Sequence, residues 1–158
     1  MAITLRAPRG LSRLAPALRR LVRSALAAEA RRPGEIGIVL TQDAQLRALN
    51  RSWRGIDRAT DVLSFGYDGG RRSPATVIVS GDLVISLDRV IAQARRYRVS
   101  RGEELARLAV HGTLHLAGLD HQLAAARRDM RRREDRALRA AAAAVRALRR
   151  MLAAEPGA

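Results

Sequence analysis

The sequence predicts a single α+β domain with a mixed sheet of about four strands and four or five helices. Short apolar segments rich in β-branched residues lie in the first half of the chain, and longer segments with helical periodicity lie in the second half. No linker or internal repeat divides the 158 residues, and 47% of them are hydrophobic, which is enough to fill one core. We therefore expect one domain over residues 1–158.

The N-terminal part of the chain predicts two strands and two helices in alternation. Residues 3–6 can form a short strand, and apolar residues recur at helical spacing over 12–30. The segment "RPG" at 32–34 is expected to end this helix. The apolar run "IGIVL" at 36–40 predicts the second strand, and a helix over 43–52 is expected to follow it.

The rest of the chain predicts two further strands and three helices. In order, these are strands at 61–65 and 76–86 and helices at 88–97, 101–117 and 123–153. Gly118 is expected to end the fourth helix, because glycine readily adopts a left-handed backbone conformation. The alanine and arginine content after residue 123 is typical of one long final helix.

All three histidines of the chain lie in one segment, "HGTLHLAGLDH", at 111–121. His111 and His115 are four residues apart, so they share one face of a helix. A turn at Gly118 can bring His121 back toward them. Three neutral imidazoles on one zinc or similar divalent ion leave a coordination position open, as in catalytic sites. The spacing therefore predicts one divalent ion per chain, bound by this helix and the turn after it, whereas packed core histidines are the alternative.

The histidine segment also resembles the H-E-x-x-H pattern of zinc proteases, but the position of the catalytic glutamate is Gly112 here. A metallopeptidase is therefore the less favoured interpretation. Asp120, the only carboxylate in the segment, is a candidate base or a group that orients a ligand histidine. Its alternative is an ordinary turn carboxylate.

Composition limits the class of protein. The chain has no cysteine, which excludes disulfides and thiolate metal sites and suits a reducing cytoplasm. Its longest run without charge, 108–119, is too short and too polar to cross a bilayer, so we expect no membrane partner. The acid-poor first 28 residues are similar to a transit peptide, although they also fit an ordinary strand and helix.

The formal charge is +15, and every basic residue is arginine. Residues 1–32 carry eight arginines and one acid, and residues 122–158 carry ten arginines and four acids, whereas the segment between them is nearly balanced. Such basic ends attract polyanions, with nucleic acid the commonest class. Candidate phosphate contacts are arginines 19, 20 and 23 in the first helix and 127, 128, 131, 132 and 133 in the last. A solvated surface without a partner is the alternative.

The histidine segment closely resembles the H-G-x-L-H-L-x-G-x-D-H signature of the YbeY family of bacterial endoribonucleases and ribosomal RNA maturation factors. Further matches stand in the same order along about residues 3–140. They are Asn50, "WRGID" at 53–57, "TDVLSF" at 60–65, "GDLVIS" at 81–86, Met130 and Glu134. On this resemblance, residues 141–158 are a helical extension of the family domain.

The resemblance implies a zinc-dependent, single-strand-specific endoribonuclease that acts in 16S ribosomal RNA 3′-end maturation and ribosome quality control. Its implied partners are ribosomal RNA, the small ribosomal subunit, a small-subunit protein and an Era-like GTPase, all in the cytoplasm. Two alternatives remain open at this point. One is a non-enzymatic ribosome assembly factor with a structural metal site, and the other is the metallopeptidase.

The resemblance also implies a functional role for Arg54, whose planar guanidinium could hold a phosphate. An ion pair of Arg54 with Asp57 or Asp61 is the alternative. Trp53 could stack on a base, but a sole tryptophan beside a strand favours a place in the core. A turn at 81–82, or an Asp82–arginine pair, is expected, with a wall of the substrate site as the other interpretation.

Overall fold

The computed structural model describes residues 2–67, 77–119 and 124–153 and confirms the α+β class and the four-stranded mixed sheet. The strands are β1 (Ala2–Arg6), β2 (Arg32–Thr41), β3 (Val62–Gly66) and β4 (Ile78–Ser86). The helices are α1 (Ala15–Ala27), α2 (Asp43–Arg54), α3 (Leu87–Tyr97), α4 (Arg101–Leu116), α5 (Ala124–Ala140) and α6 (Ala142–Met151), and a 3-10 turn at Ser12–Leu14 precedes α1.

The sheet has the strand order β1-β2-β4-β3. Strands β1, β2 and β4 are parallel, and β3 runs antiparallel to β4, with Leu63 opposite Val84. Within the described ranges β3 is therefore an edge strand. This edge matters for function, because the helix that carries the histidines packs beside it.

The segment that was expected to end the first helix belongs instead to a strand. Helix α1 already ends at Ala27, and Ala30 then adopts a positive φ of 56° while the Arg31 amide donates to the Leu26 carbonyl over 2.8 Å. Strand β2 begins at Arg32, and its pairing with β4 shifts register between Pro33 and Ile36. Proline is tolerated at this irregular start of the strand because such positions lack regular ladder hydrogen bonds.

The two faces of the sheet are covered unequally. Helices α1 and α4 pack on one face, and α5 and α6 form a further layer on these two helices. The main core lies here, with buried residues such as Leu18, Ile38 and Leu108. Helix α2 covers part of the other face with a smaller cluster around Leu46 and Leu63.

The predicted single final helix is wrong, and the described residues contain six α-helices instead of the four or five expected. The chain leaves helical geometry at Ala141, with φ −111° and ψ 34°, and α6 turns back to pack on α4 and α1. Helix α6 meets α4 at Gly102, where a side chain would overlap the backbone of Leu148. Burial of this helix therefore outweighs the continuous helix that local propensity favours.

Helix α6 also contacts the N-terminal segment of the chain. The Arg13 guanidinium donates a hydrogen bond of 2.8 Å to the Met151 carbonyl, and α1 packs along α6. In the described ranges, no helix combines the length and the apolar character that a bilayer crossing requires.

Gly102→Ala is expected to lower the free energy of unfolding by about 1 to 3 kcal/mol, because the added methyl group would push α6 away from α4. Helix propensity alone predicts the opposite sign, since alanine is favoured over glycine by about 1 kcal/mol in a helix. Chemical denaturation of both proteins measures the difference. An unchanged or raised midpoint would show that the two helices are not in close contact.

Candidate active site

Helix α4 is held at both ends, which fixes the two histidines in its last turns. At its start, the Ser100 hydroxyl accepts from the Glu103 amide and the Glu103 carboxylate accepts from the Ser100 amide, each over 3.0 Å. This reciprocal capping box satisfies two helix-end donors. The helix therefore begins at a defined residue.

The end of α4 confirms the turn that the sequence predicts at Gly118. This residue has φ +93°, and its amide donates to the His115 carbonyl over 2.9 Å. The Leu119 amide donates to the Leu114 carbonyl over 3.1 Å, which completes a Schellman motif. Asp120 and His121 lie outside the described residues, so their roles stay predictions.

His111 and His115 come together on one face of α4, as their spacing predicts. Their ring centroids are 4.7 Å apart and their planes are inclined by 54°. Both rings line a cleft of about 460 Å³. The shared face that the sequence predicts for His111 and His115 is therefore confirmed.

Glu134 fixes the orientation of the first histidine. Its carboxylate, 7% exposed, lies 2.9 Å from Nδ1 of His111. A carboxylate only accepts hydrogen bonds, so Nδ1 carries the proton and the lone pair of a neutral imidazole lies on Nε2. This carboxylate–histidine arrangement is typical of residues that support a metal ligand.

Helix α5 holds Glu134 in place through contacts with α1. Glu29, just after α1, forms ion pairs with Arg133 and with Arg136. The Ser24 hydroxyl donates to the Ala137 carbonyl over 2.8 Å. Because these contacts lie on both sides of Glu134 in α5, they fix its carboxylate against α4.

The cleft lies between α4, the edge strand β3 and the end of α2. Its lining comprises Arg54, Thr60, Asp61, Val62, Leu63, Ser64, Phe65, His111 and His115. Histidine, carboxylate and guanidinium groups therefore share one open space. This arrangement can bind a cation and an anionic group side by side.

Gly112 sets the distance between the histidine helix and the strand. A Cβ atom there would lie 2.9 Å from Val62 Cγ2 and 3.3 Å from Leu83 Cδ2. The Ser64 hydroxyl donates to the Gly112 carbonyl over 2.8 Å, which joins β3 to α4. A glutamate at position 112, as in zinc proteases, would not fit this contact, so the packing also disfavours the peptidase interpretation.

Arg54 is the last residue of α2 and lines the cleft. The alternative interpretation, an ion pair with Asp57 or Asp61, is wrong. Asp57 is instead bound by Arg47 at 2.7 and 3.1 Å, and these contacts lower the pKa of Asp57 and raise that of Arg47. The Asp61 carboxylate accepts from the Val62 amide over 2.8 Å and from Gln93 over 3.2 Å.

Asn50 shapes the loop that carries part of the cleft wall, a role that the sequence pattern did not reveal. It is 2% exposed, and its side-chain amide donates to the Arg58 carbonyl over 2.8 Å. The backbone carbonyl of Asn50 accepts a hydrogen bond from the Ile56 amide over 3.2 Å. Both bonds hold the turn after α2, so Asn50 helps to place Arg54 and the loop that leads to β3.

An ion pair with a buried carboxylate lies on α4 near the histidines. Arg107, one turn before His111, binds buried Glu104 through bonds of 3.0 and 2.6 Å. These bonds raise the pKa of the Arg107 guanidinium, and the charges of Glu104, Glu134 and Asp61 act in the same direction. Arg107 therefore stays positively charged beside the histidine-bearing turns of α4.

The structural surroundings of Asp82 and Trp53 differ from those that the sequence predicts. Asp82 lies within β4 and accepts from the Tyr67 hydroxyl over 2.7 Å, which raises the pKa of Tyr67. The expected turn at 81–82 is therefore wrong, and among the described residues the partner of Asp82 is a tyrosine and not an arginine. Trp53 is 73% exposed and not part of the core. It lies one turn beyond partly buried Leu49 on α2, where its ring contacts the ring of Phe65.

The described residues contain no group of three or more histidine or carboxylate side chains that could hold a metal ion. The two adjacent imidazoles nevertheless have the chemistry of ligands for zinc and similar divalent ions. His111 has its tautomer fixed by Glu134. A third ligand from the segment after Gly118 would complete such a site.

Comparison with known proteins identifies similar sequences. A family model described as Endoribonuclease YbeY matches residues 10–142. An endoribonuclease YbeY of a Roseiflexus species is 49% identical over 113 residues, 68% of this chain and 71% of that protein. One from an Anaeromyxobacter species is 47% identical over 133 residues, 84% of this chain and 67% of that protein.

A solved structure shares the fold. The solution structure of a protein from Thermotoga maritima aligns with a TM-score of 0.60 and 22% identity, over 99% of both chains. This likeness concerns the arrangement of helices and strands.

In Glu134→Leu, His111 is expected to lose its preference for the tautomer with the proton on Nδ1, because leucine cannot accept a hydrogen bond from that nitrogen. Glu134→Gln is the matched control, since the amide oxygen of glutamine still accepts. Imidazole nitrogen chemical shifts, measured by NMR on metal-free protein with neutral histidines, report the tautomer. The same shifts in wild type and Glu134→Leu would contradict an orienting role for Glu134.

Proposed function

The chain belongs to the endoribonuclease YbeY family and is thus a hydrolase of RNA in ribosomal RNA maturation, and we propose that it is metal-dependent and single-strand-specific. We further propose that it acts at the 3′ end of 16S ribosomal RNA and in ribosome quality control. The observation that carries the metal-dependent mechanism is the meeting of His111, His115 and Arg54 in one cleft.

The proposed cofactor is one divalent ion per chain, most simply zinc, held by His111, His115 and His121. The described histidines fit this group, since their rings lie 4.7 Å apart and one is oriented by a buried carboxylate. When bound, the ion supplies Lewis-acid polarisation of a phosphoryl oxygen and activates water at neutral pH. The protein itself orients His111 through Glu134 and places His115 beside it on α4.

Arg54 has the proposed task of holding the phosphate of the reacting bond. Its guanidinium can donate two parallel hydrogen bonds to phosphate oxygens and balance their charge. The Arg47–Asp57 pair occupies the neighbouring carboxylate and so leaves no competition from Asp57. We propose Asp120 as the base for water or as a group that orients a ligand histidine.

The open cleft supports an enzyme over an assembly factor with a purely structural metal. A structural site is usually closed by four protein ligands. Here the two histidines line a space of about 460 Å³ that also contains Arg54. Substrate can therefore approach the proposed ion.

We propose the cytoplasm as the place of action, and the small ribosomal subunit, a small-subunit protein and an Era-like GTPase as partners.

The candidate phosphate-binding arginines of the two basic ends fall into two groups. Arg19 donates to the Ile3 carbonyl, and Arg133 binds Glu29 and Asp129. Arg132 lies 3.7 Å from Asp129, so these three arginines have contacts within the protein. The exposed arginines Arg20, Arg23, Arg127, Arg128 and Arg131 are the better candidates for phosphate contacts.

We also propose that residues 141–158 extend a domain that otherwise matches the family. The described part of this extension, α6, buries Ala144 and Leu148 against the core. It is thereby part of the same folded unit as the histidine helix.

His115→Ala is expected to lower single-turnover cleavage of a single-stranded RNA oligonucleotide at least about 100-fold, because it removes a ligand of the catalytic ion. Metal content by elemental analysis should fall below one ion per chain. Both proteins must be purified identically, since contaminating ribonucleases imitate activity. Equal cleavage would refute the catalytic role of the site, and loss of metal without any wild-type turnover would favour the assembly factor.

Arg54→Ala is expected to lower cleavage about 10- to 100-fold, because a charge-assisted hydrogen bond contributes about 1.5 to 3 kcal/mol. Metal content and thermal midpoint should stay the same, since Arg54 is exposed and contacts no carboxylate of its loop. Arg95→Ala is the matched control, an exposed arginine on α3 outside the cleft lining. Equal effects of both variants would indicate general charge attraction instead of a specific phosphate contact.

A further inference from the structure

Trp53 is an exposed aromatic residue beside the cleft, next to Arg54 in α2 and in ring contact with Phe65. A packed tryptophan buries about 150 to 250 Å² and contributes strongly to a core. Trp53 leaves 73% of its surface in solvent. Tryptophan is enriched among the residues that contribute most to binding energy at interfaces, so an exposed tryptophan beside a cleft is a candidate contact residue.

The position of Trp53 connects it to the cleft in two ways. Arg54, the next residue along α2, lines the cleft. The Trp53 ring also meets Phe65 edge to face, with centroids 6.4 Å apart and planes inclined by 61°, and Phe65 is itself a lining residue. An edge-to-face contact supports the indole from one side and leaves ring surface for another partner.

The surroundings of Trp53 are basic. Arg51, Arg54 and Arg58 are exposed on or just after the same helix, whereas Asp57 is already neutralised by Arg47. A flat aromatic surface among guanidinium groups matches a nucleotide, which has an aromatic base and an anionic phosphate. It does not match an apolar protein surface as well, because three exposed cations would be desolvated without partners.

We propose that Trp53, supported by Phe65, forms a base-stacking subsite for the nucleotide next to the one whose phosphate Arg54 holds. The proposal rests on the proposed function. Consecutive residues of a helix project in directions about 100° apart, so Trp53 and Arg54 can contact the base and the phosphate of neighbouring parts of one strand. Stacking requires an unpaired base, and the subsite therefore acts on substrate choice and affinity, whereas the histidines act on bond hydrolysis.

The sole tryptophan of the chain makes the proposal directly measurable. Metal-loaded protein is mixed in a stopped-flow instrument with a single-stranded RNA oligonucleotide, and the fluorescence of Trp53 is followed before cleavage. We expect quenching by the single strand and little by a duplex of the same sequence, because the bases of a duplex are already stacked. Quenching that is equal for both forms would overturn the proposal.

Variants test the energetic contribution. Trp53→Ala is expected to weaken binding of the single strand about 5- to 150-fold, the range that corresponds to stacking of one base. Trp53→Phe, which keeps an aromatic ring at this position, should keep much of the affinity. Tyr97→Ala is the matched control, since Tyr97 is 53% exposed on α3 and does not line the cleft.

Abasic substitutions locate the subsite on the RNA. Removal of single bases should weaken wild-type binding at one position near the cleaved bond, and Trp53→Ala should be insensitive at that position alone. If the wild-type protein cleaves RNA and Trp53→Ala binds RNA as tightly as the wild type does, the stacking subsite is refuted and the proposed function stands. If wild type shows no cleavage, the proposed function fails. A variant with intact RNA affinity but lost binding to the ribosomal subunit would assign Trp53 to a protein contact and overturn the proposal.

Discussion

The close approach of α4 to the edge strand at Gly112 is the constraint on which the site depends. Gly112 lies between the two histidines, and a side chain there would press on Val62 and Leu83. With hydrogen as its only substituent, the helix backbone comes near enough for the Ser64 hydroxyl to bind the Gly112 carbonyl. The histidines are thereby placed at the rim of the sheet, where β3 and the end of α2 complete the cleft.

The second layer of helices determines the electrostatics of this rim. Helix α5 contacts α1 through Glu29 and brings a buried carboxylate to His111, so the orientation of one imidazole depends on packing more than 20 residues away in the chain. The adjacent Arg107 balances Glu104 but faces the charges of Glu134 and Asp61 as well. Glu134 is placed to support His111, whereas Arg54, which lines the same cleft, suits an anionic group.

Local periodicity explains what the sequence could predict. The strands, most helices, the shared face of the histidine pair and the turn at Gly118 depend on spacing within a few residues. The features that the sequence predicts wrongly depend on tertiary contacts. The break at Ala141 comes from the packing of α6, and the exposure of Trp53 arises because α2 covers only part of the sheet face. Glu134 matched a family pattern, but its partner His111 is distant in sequence and only the fold brings them together.

The contact of α6 with α1 has a consequence for synthesis on the ribosome. The first helix carries buried Leu18, Leu21 and Val22, and part of their cover is provided by residues made more than 100 positions later. The Arg13 to Met151 bond likewise joins early and late parts of the chain. While translation proceeds, the apolar side of α1 must stay exposed or be shielded by a chaperone, because vectorial folding cannot supply its last partner. A protein that processes ribosomal RNA thus cannot complete its own core until α6 has been synthesised.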